Sequence, residues 1–389
     1  MIPYADFTFF GLLLYPVLAT LILGLLGRAG RCWALLVTVA AVILQYSCRP
    51  VFGTREIWIL AGFGAWEYAV VRAFKAFGAR PGWPFYLAVG ASLGPLVASK
   101  AWPLVSPGSE FGFLGISYVT FRVLDIVFCL RDKVALSLNA ADFLGCLFFF
   151  PTISSGPIDR YRRFTADLGK KRTRAEFLQD LDGAIHRLFR GFFYKFIIAA
   201  LINNYWLEPS AKGRSLGATV SYMYAYSFYL FFDFAGYCAF AIALSYLFGV
   251  HTPENFNRPF LARNIREFWN RWHMTLSFWF RDHVYMRFLL TARRRNWFHN
   301  NHTASIAAYF LSFGLMGLWH GPHMQYIAYG LYQALLLTGF DIYSRWNKAR
   351  GQGHDSRFRH AAGVFITFQC VCFGFLIFSG HLNTIPSSP

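Results

Sequence analysis

Charge is what this sequence has least of. Only 14% of its 389 residues are charged, against roughly 25% in an ordinary soluble domain. Such a share excludes a water-soluble globular fold of this length. Cysteine is scarce as well. The seven thiols (Cys32, Cys48, Cys129, Cys146, Cys238, Cys370, Cys372) all fall within or at the ends of apolar segments. None has zinc-ligand spacing with a histidine partner, so they read as small packing residues and no metal site is expected. No Gly-rich phosphate loop, serine elbow or paired-carboxylate motif stands out. Nor is there a linker long enough to separate domains, or a repeat of 20–50 residues. One integral domain, 1–389, is the expectation.

What the sequence does have is apolar length. Hydrophobic residues make up 56% and aromatics 20%. A spanning helix needs about 20 mostly apolar residues, and residues 6–26, 32–48, 111–130, 324–343 and 361–380 fit. The alternation of a transmembrane barrel is absent, so the spans are expected to be helices. The first lacks a basic start and holds Asp6 and Pro16, unlike a cleaved signal peptide. An all-α polytopic membrane protein follows, with N-terminal spans over 6–130, a core over 142–343 and a last span over 361–380.

The 37 basic residues outnumber the 19 acidic ones by 18. A nucleic-acid partner is excluded by where they sit, in short connections between apolar spans, as the positive-inside bias places them. Arg28/Arg31, Arg72–Arg80 and Arg131/Lys133 fall on one side; Arg49/Arg55 and WPLVSPGSE (102–110) fall on the other. This predicts an extracytoplasmic N-terminus in the cell membrane.

Three segments depart from plain spans. In DFLGCLFFFPTISSGPIDRYRRF (142–164) a short apolar run is broken by Pro151, Gly156 and Pro157, then followed by arginines. It is expected to enter the membrane and return on the same side, a kinked helix being the alternative. The stretch 215–250 is too long for one upright span and holds Asp233 near its middle. An acid there needs a partner, expected to be an arginine or a hydroxyl. In FWNRWHMTLSFWFRDHVYMR (268–287), read as one helix, Asn270, His273, Ser277 and Arg281 share a face. That stripe is expected to line a cavity, with an interfacial helix as the alternative.

GLMGLWHG (314–321) places His320 in a run otherwise fit only for lipid. With His273 it makes two histidines where membrane proteins rarely leave an ionisable group. Burial favours the neutral imidazole, the form that a general base requires. Trp319 and the flanking glycines would admit a substrate while excluding bulk water. A structural histidine between helices is the other reading. His299 and His302 are read as belonging to a polar loop.

Taken together, FFFPTISSGPIDRYRRF, YKFIIAALINNYWL, YSFYLFFDFAGY, TPENFNRPFLARNIREFWNRWHMTLSFWFRDHVYMRF and GLMGLWHG resemble the membrane-bound O-acyltransferases along essentially the whole chain. Within them they are most similar to the branch that moves D-alanyl groups to teichoic acids. The resemblance implies a ring of about eleven spanning helices around a funnelled centre with a tunnel. It implies His320 and His273 as the catalytic pair, and Asn270, Ser277, Arg281, Asp233 and Trp319 along the tunnel. No bound cofactor is implied, because phosphopantetheine arrives on a separate acidic carrier protein in the cytoplasm. Arg160, Arg162 and Arg163 would suit that carrier, or anionic lipid. The other implied partners are a teichoic acid-type acceptor, accessory proteins of the same pathway and membrane lipids. Cys238 after DFAGY and GPHMQYI after His320 depart from the family pattern. Rival readings are polysaccharide O-acetylation on the same fold and transport of a lipid or polymer.

Overall fold

A computed structural model describes residues 2–5, 7–48, 55–106, 111–134, 137–350 and 357–384. Asp6, Arg49 and 107–110, which entered the span and loop expectations, lie outside these, as does the Cys48 side chain. The described chain is helical, and its one β feature is an isolated bridge between Phe256 and Trp272.

Helices α1 (Phe7–Leu25), α2 (Arg31–Ile43), α3 (Glu56–Ala76), α4 (Trp83–Val105) and α5 (Ile116–Arg131) come first. Short α6 (Ala140–Leu147) and α7 (Tyr161–Gly169) precede the longer α8 (Arg174–Phe192). Two small helices follow among π-helical turns, α9 (Ala200–Ile202) and α10 (Glu208–Lys212), and then α11 (Leu216–Leu247) runs unbroken for 32 residues. The rest comprises α12 (Ile265–Trp269), α13 (Met274–Phe280), α14 (Met286–Arg294), α15 (Asn301–His320), α16 (Met324–Ala349) and α17 (Arg357–Ser379). Four of these, α1, α3, α11 and α17, are long and apolar enough to cross a membrane. The expected span at 111–130 begins only at Ile116, after Gly115 at φ 95°, and most of its side chains are buried. A helix enclosed by protein has the same apolar composition as one facing lipid. The expected Arg72–Arg80 loop is shorter than its charges suggested, because Arg72 and Lys75 belong to α3.

The described chain packs as two compact units. The first holds residues up to Gly191 together with Tyr237–Pro253. In it the broken segment after α6 has a specific support. The Arg122 guanidinium, fully buried on α5, donates to the carbonyls of Cys146 (2.8 Å) and Leu147 (3.0 Å). It also donates to Thr152, both carbonyl (2.7 Å) and hydroxyl (2.6 Å). Carbonyls released where a helix stops have no water to turn to, so one planar fork satisfies them. Tyr237 and Tyr4 hold the same turn from other sides, through Ser154 (2.7 Å) and the Pro151 carbonyl (3.0 Å).

The second unit holds Phe192–Gly236 and Glu254 onward. Its closest packing joins α15 to α16. A Cβ on Gly317 would lie 2.5 Å from the Tyr326 carbonyl oxygen, and one on Gly330 would lie 2.3 Å from that of Phe313. Only glycines allow two helix backbones to come this near. Gly317 in GLMGLWHG thus holds the last turn of α15 against α16, and His320 is the last residue of α15.

Candidate active site

The stretch 265–294 is not one helix. It breaks between α12 and α13, where His273 adopts φ 43°, ψ 51°, and loosens again into a π-helical turn at Arg281–Tyr285. The cause of the first break is Asn255, buried on the neighbouring segment. Its carbonyl accepts from the Met274 N–H (2.9 Å), while its side chain accepts from the Thr275 N–H (3.2 Å) and hydroxyl (2.7 Å). The Asn257 N–H donates to the Arg271 carbonyl (2.9 Å). These bonds capture groups that a continuous helix would have used. The expectation of a single polar stripe is thus corrected: His273 turns away from the line of Asn270, Ser277 and Arg281.

Where it turns is informative. The buried His273 ring meets Phe234 of α11 edge-on at 4.9 Å, and lies within electrostatic reach of His320. His320 is half-buried. Its ring lies 4.6 Å from Trp319, 4.8 Å from Phe378 of α17 and 5.8 Å from Tyr326 of α16. Phe378 contacts Tyr329, Tyr329 contacts Phe375, and Phe375 contacts Trp272, the residue before His273. A continuous aromatic wall therefore joins the surroundings of the two imidazoles.

Asn270, Ser277 and Arg281 do share a space. They line a cavity of about 500 Å³, with Arg266, Tyr285, Ser305, Tyr309, Asp341 and Arg345 among the other polar lining residues. Asp341 organises one side of it. Its carboxylate accepts from Arg266 (3.0 Å) and Arg345 (2.9 Å) and bonds His302 Nδ1 (2.9 Å). His302 is thus a helical residue in an ion cluster, a correction to the loop reading. On α15 the lining residues are Ser305, Tyr309, Ser312, Phe313 and Met316. They fall on one helical face, and His320 is the next position on it, one turn past Met316. The Ser312 hydroxyl, almost fully buried in this wall, has no hydrogen-bond partner among the described residues.

Asp233 and Trp319, also expected along the tunnel, are not among the residues lining this cavity. Asp233 is ion-paired with Lys195, so the partner is neither the arginine nor the hydroxyl foreseen. Lys195 in YKFIIAAL, a cation in an apolar run 38 residues upstream, was the available signal. Of the three arginines proposed for docking, Arg160 is paired with Asp125, and Arg163 with Asp159 and Asp167. Arg162 is the one that is exposed. Cys238 is buried in the first unit. Among the described residues no group of three or more His, Cys, Asp or Glu gathers as a metal site.

The sequence profile of MBOAT, the membrane-bound O-acyltransferase family, matches residues 127–379. The chain is 43% identical to the teichoic acid D-alanyltransferase of Bacillus subtilis (strain 168), across 98% of each protein. It is 37% identical to the one from Streptococcus thermophilus, across 98% of this chain and 96% of that one. The probable alginate O-acetylase of Pseudomonas fluorescens is 30% identical over 68% of this chain and 50% of its own length. The chain belongs to the membrane-bound O-acyltransferase family. It is a multi-pass membrane enzyme that transfers acyl groups.

Proposed function

We propose that the protein moves a D-alanyl group from a thioester on a carrier protein's phosphopantetheine arm to a hydroxyl of a teichoic acid-type acceptor. The two relatives similar along their whole length are named for D-alanyl transfer to teichoic acid, which supports the acyl group and the acceptor. The observation that carries the mechanism is the row Ser305, Tyr309, Ser312, Met316 on α15, lining the cavity and continuing to His320. Its 12-residue length is about 18 Å of helix, room for a slender extended arm and not for a folded domain. Basic residues gather at one end of this helix group: Arg293–Arg295 before α15, Lys348 and Arg350 closing α16, Arg357 and Arg359 opening α17. Positive-inside bias makes that end cytoplasmic, so the arm enters there and His320 faces the acceptor's side.

The step is then simple. A ring nitrogen of His320 takes the acceptor hydroxyl's proton as the oxygen attacks the thioester carbonyl. The C–S bond breaks, an ester forms, and the departing thiolate takes up the proton. His273 steadies the acceptor or the developing oxyanion, with the wall of Phe234 and Trp272 keeping water scarce. Ser312 offers its hydroxyl to the amides of the arm. The partners in this reading are the acidic cytoplasmic carrier, the acceptor polymer and the accessory proteins of D-alanylation, with no cofactor held by the chain itself.

His320→Ala tests the reading. General-base help is worth about 10²–10⁴-fold, so the variant should fall by that much in transfer of labelled D-alanine from the carrier to the acceptor, at undiminished protein level. Ester-linked D-alanine at the parental level would exclude His320 as base. O-acetylation of a polysaccharide is the second reading, favoured by the 30% identity to an alginate O-acetylase. An acetyl donor that is used while the D-alanyl carrier is refused would establish it.

A further inference from the structure

Beyond His320, at the end opposite the arginines, the second unit holds polar and aromatic groups that the catalytic reading leaves unused. Tyr222 of α11 lies between two other rings: Tyr226 at 5.8 Å, nearly parallel at 10°, and His381 at 3.9 Å and 15°. The Ser379 hydroxyl donates to the Leu376 carbonyl (2.7 Å) and accepts from the His381 N–H (3.2 Å). Ser379 is one residue past Phe378, whose ring meets His320 at 4.8 Å. Asn383 donates to Gln325 (3.3 Å), the residue before Tyr326 in the unusual GPHMQYI stretch. Tyr222, Tyr226, Gln325, Tyr326 and Ser379 are only half-buried. A three-ring stack thus lies at the same end of the helix group as His320.

We infer that this shelf is the acceptor subsite, and that it recognises a hydroxyl-rich chain end, a polyol or sugar unit, by hydrogen bonds from the Tyr222 and Tyr226 hydroxyls. The inference rests on the acyl-transfer reading above and adds to it the residues that set acceptor preference. Stacking fixes the rings so that their hydroxyls are placed in advance, which reduces the ordering cost of binding. A flexible polyol needs such fixed partners, because hydroxyl recognition in water brings little net gain per bond. Phenol, alcohol and amide groups read hydroxyls, whereas a phosphate-reading site would present arginine forks. Tyr222 and Tyr226 act here as acceptor-binding residues.

The test uses the full chain in nanodiscs with a glycerol phosphate oligomer as acceptor. Tyr222→Phe and Tyr226→Phe keep the rings and remove one hydroxyl each. Each should raise the oligomer KM about three- to tenfold, with kcat changed less than twofold. Equilibrium binding of the oligomer, measured without donor, should weaken by the same factor, and glycerol should compete where inorganic phosphate does not. Unchanged KM and binding in both variants, or competition by phosphate as strong as by glycerol, would overturn the shelf. Binding that follows these expectations in a wild-type protein unable to transfer D-alanine would instead sink the acyl-transfer reading and leave the shelf standing. A third substitution, His381→Asn, guards against misfolding: it removes one ring of the stack while both hydroxyls remain, and a KM rise smaller than that of Tyr222→Phe is expected.

Discussion

His273 occupies a backbone conformation that L-residues reach at a cost of about 1–2 kcal/mol, and that glycine reaches freely. Its persistence is explained by Asn255, whose three bonds hold the flanking residues. This separates the side chain's role from the backbone's. His273→Ala and His273→Gly both lose the imidazole, and both should lose transfer activity. The glycine variant should nevertheless melt as though about 1 kcal/mol more stable than the alanine one. Thermal unfolding in detergent is the measurement, and the opposite order would mean that the left-handed turn carries no cost. His320 needs no such support. It closes α15 and takes its position from the glycine contact that locks α15 to α16.

Among the elements, the short and broken pieces hold the specific bonds. The turn after α6 depends on one guanidinium, and charge alone cannot replace it. Arg122→Lys keeps the cation but has no planar fork to reach Cys146, Leu147 and Thr152 together. At least one buried carbonyl is then left unpaired, at about 1–3 kcal/mol. A melting temperature equal to the parent's would show that the turn supports itself. Helix α8 starts with a capping box. The Glu176 N–H donates to the Thr173 hydroxyl (3.2 Å) and the Thr173 N–H donates back to the Glu176 carboxylate (2.9 Å). A hydrogen bond from Lys170, followed by those from Thr173, holds the Glu176 carboxyl down at about 2. Because the folded value is depressed, the box contributes fully above the ordinary 4.5 and is lost as pH falls through about 2. Exchange of the Thr173 amide should accelerate across that window once intrinsic rates are divided out. In Glu176→Ala it should be fast, and independent of pH, throughout.

For the molecule as a whole, orientation decides which reactant meets which end of the cavity. The basic ends of α14, α16 and α17 are assigned to the cytoplasm, and His323 to the other side. A cysteine at His323 should react with a membrane-impermeant maleimide added to intact cells. One at Arg350 should react only after permeabilisation, with the unsubstituted protein as background. The reverse pattern would place the arm's entrance outside the cell, and no cytoplasmic carrier could then serve the site.

Much was legible in the residues themselves, and for a physical reason. Apolar length follows from what a bilayer tolerates, residue by residue, so α1 and α17 could be read directly. Helix α3 was not among the expected spans, and the stretch expected to be too long for one upright span forms the single 32-residue helix α11. Ser277 and Arg281 follow one another at helical spacing, whereas Asn270 reaches the same cavity from across the break at His273, which spacing alone does not foresee. Contacts between distant segments had no such periodic trace. Lys195 meeting Asp233, Asn255 breaking the helix before His273, and Arg122 bridging a turn 24–30 residues away all needed the packed chain. A polar side chain's partner is whichever group folding brings within about 3 Å. Composition can require that a partner exist, but only tertiary packing chooses it.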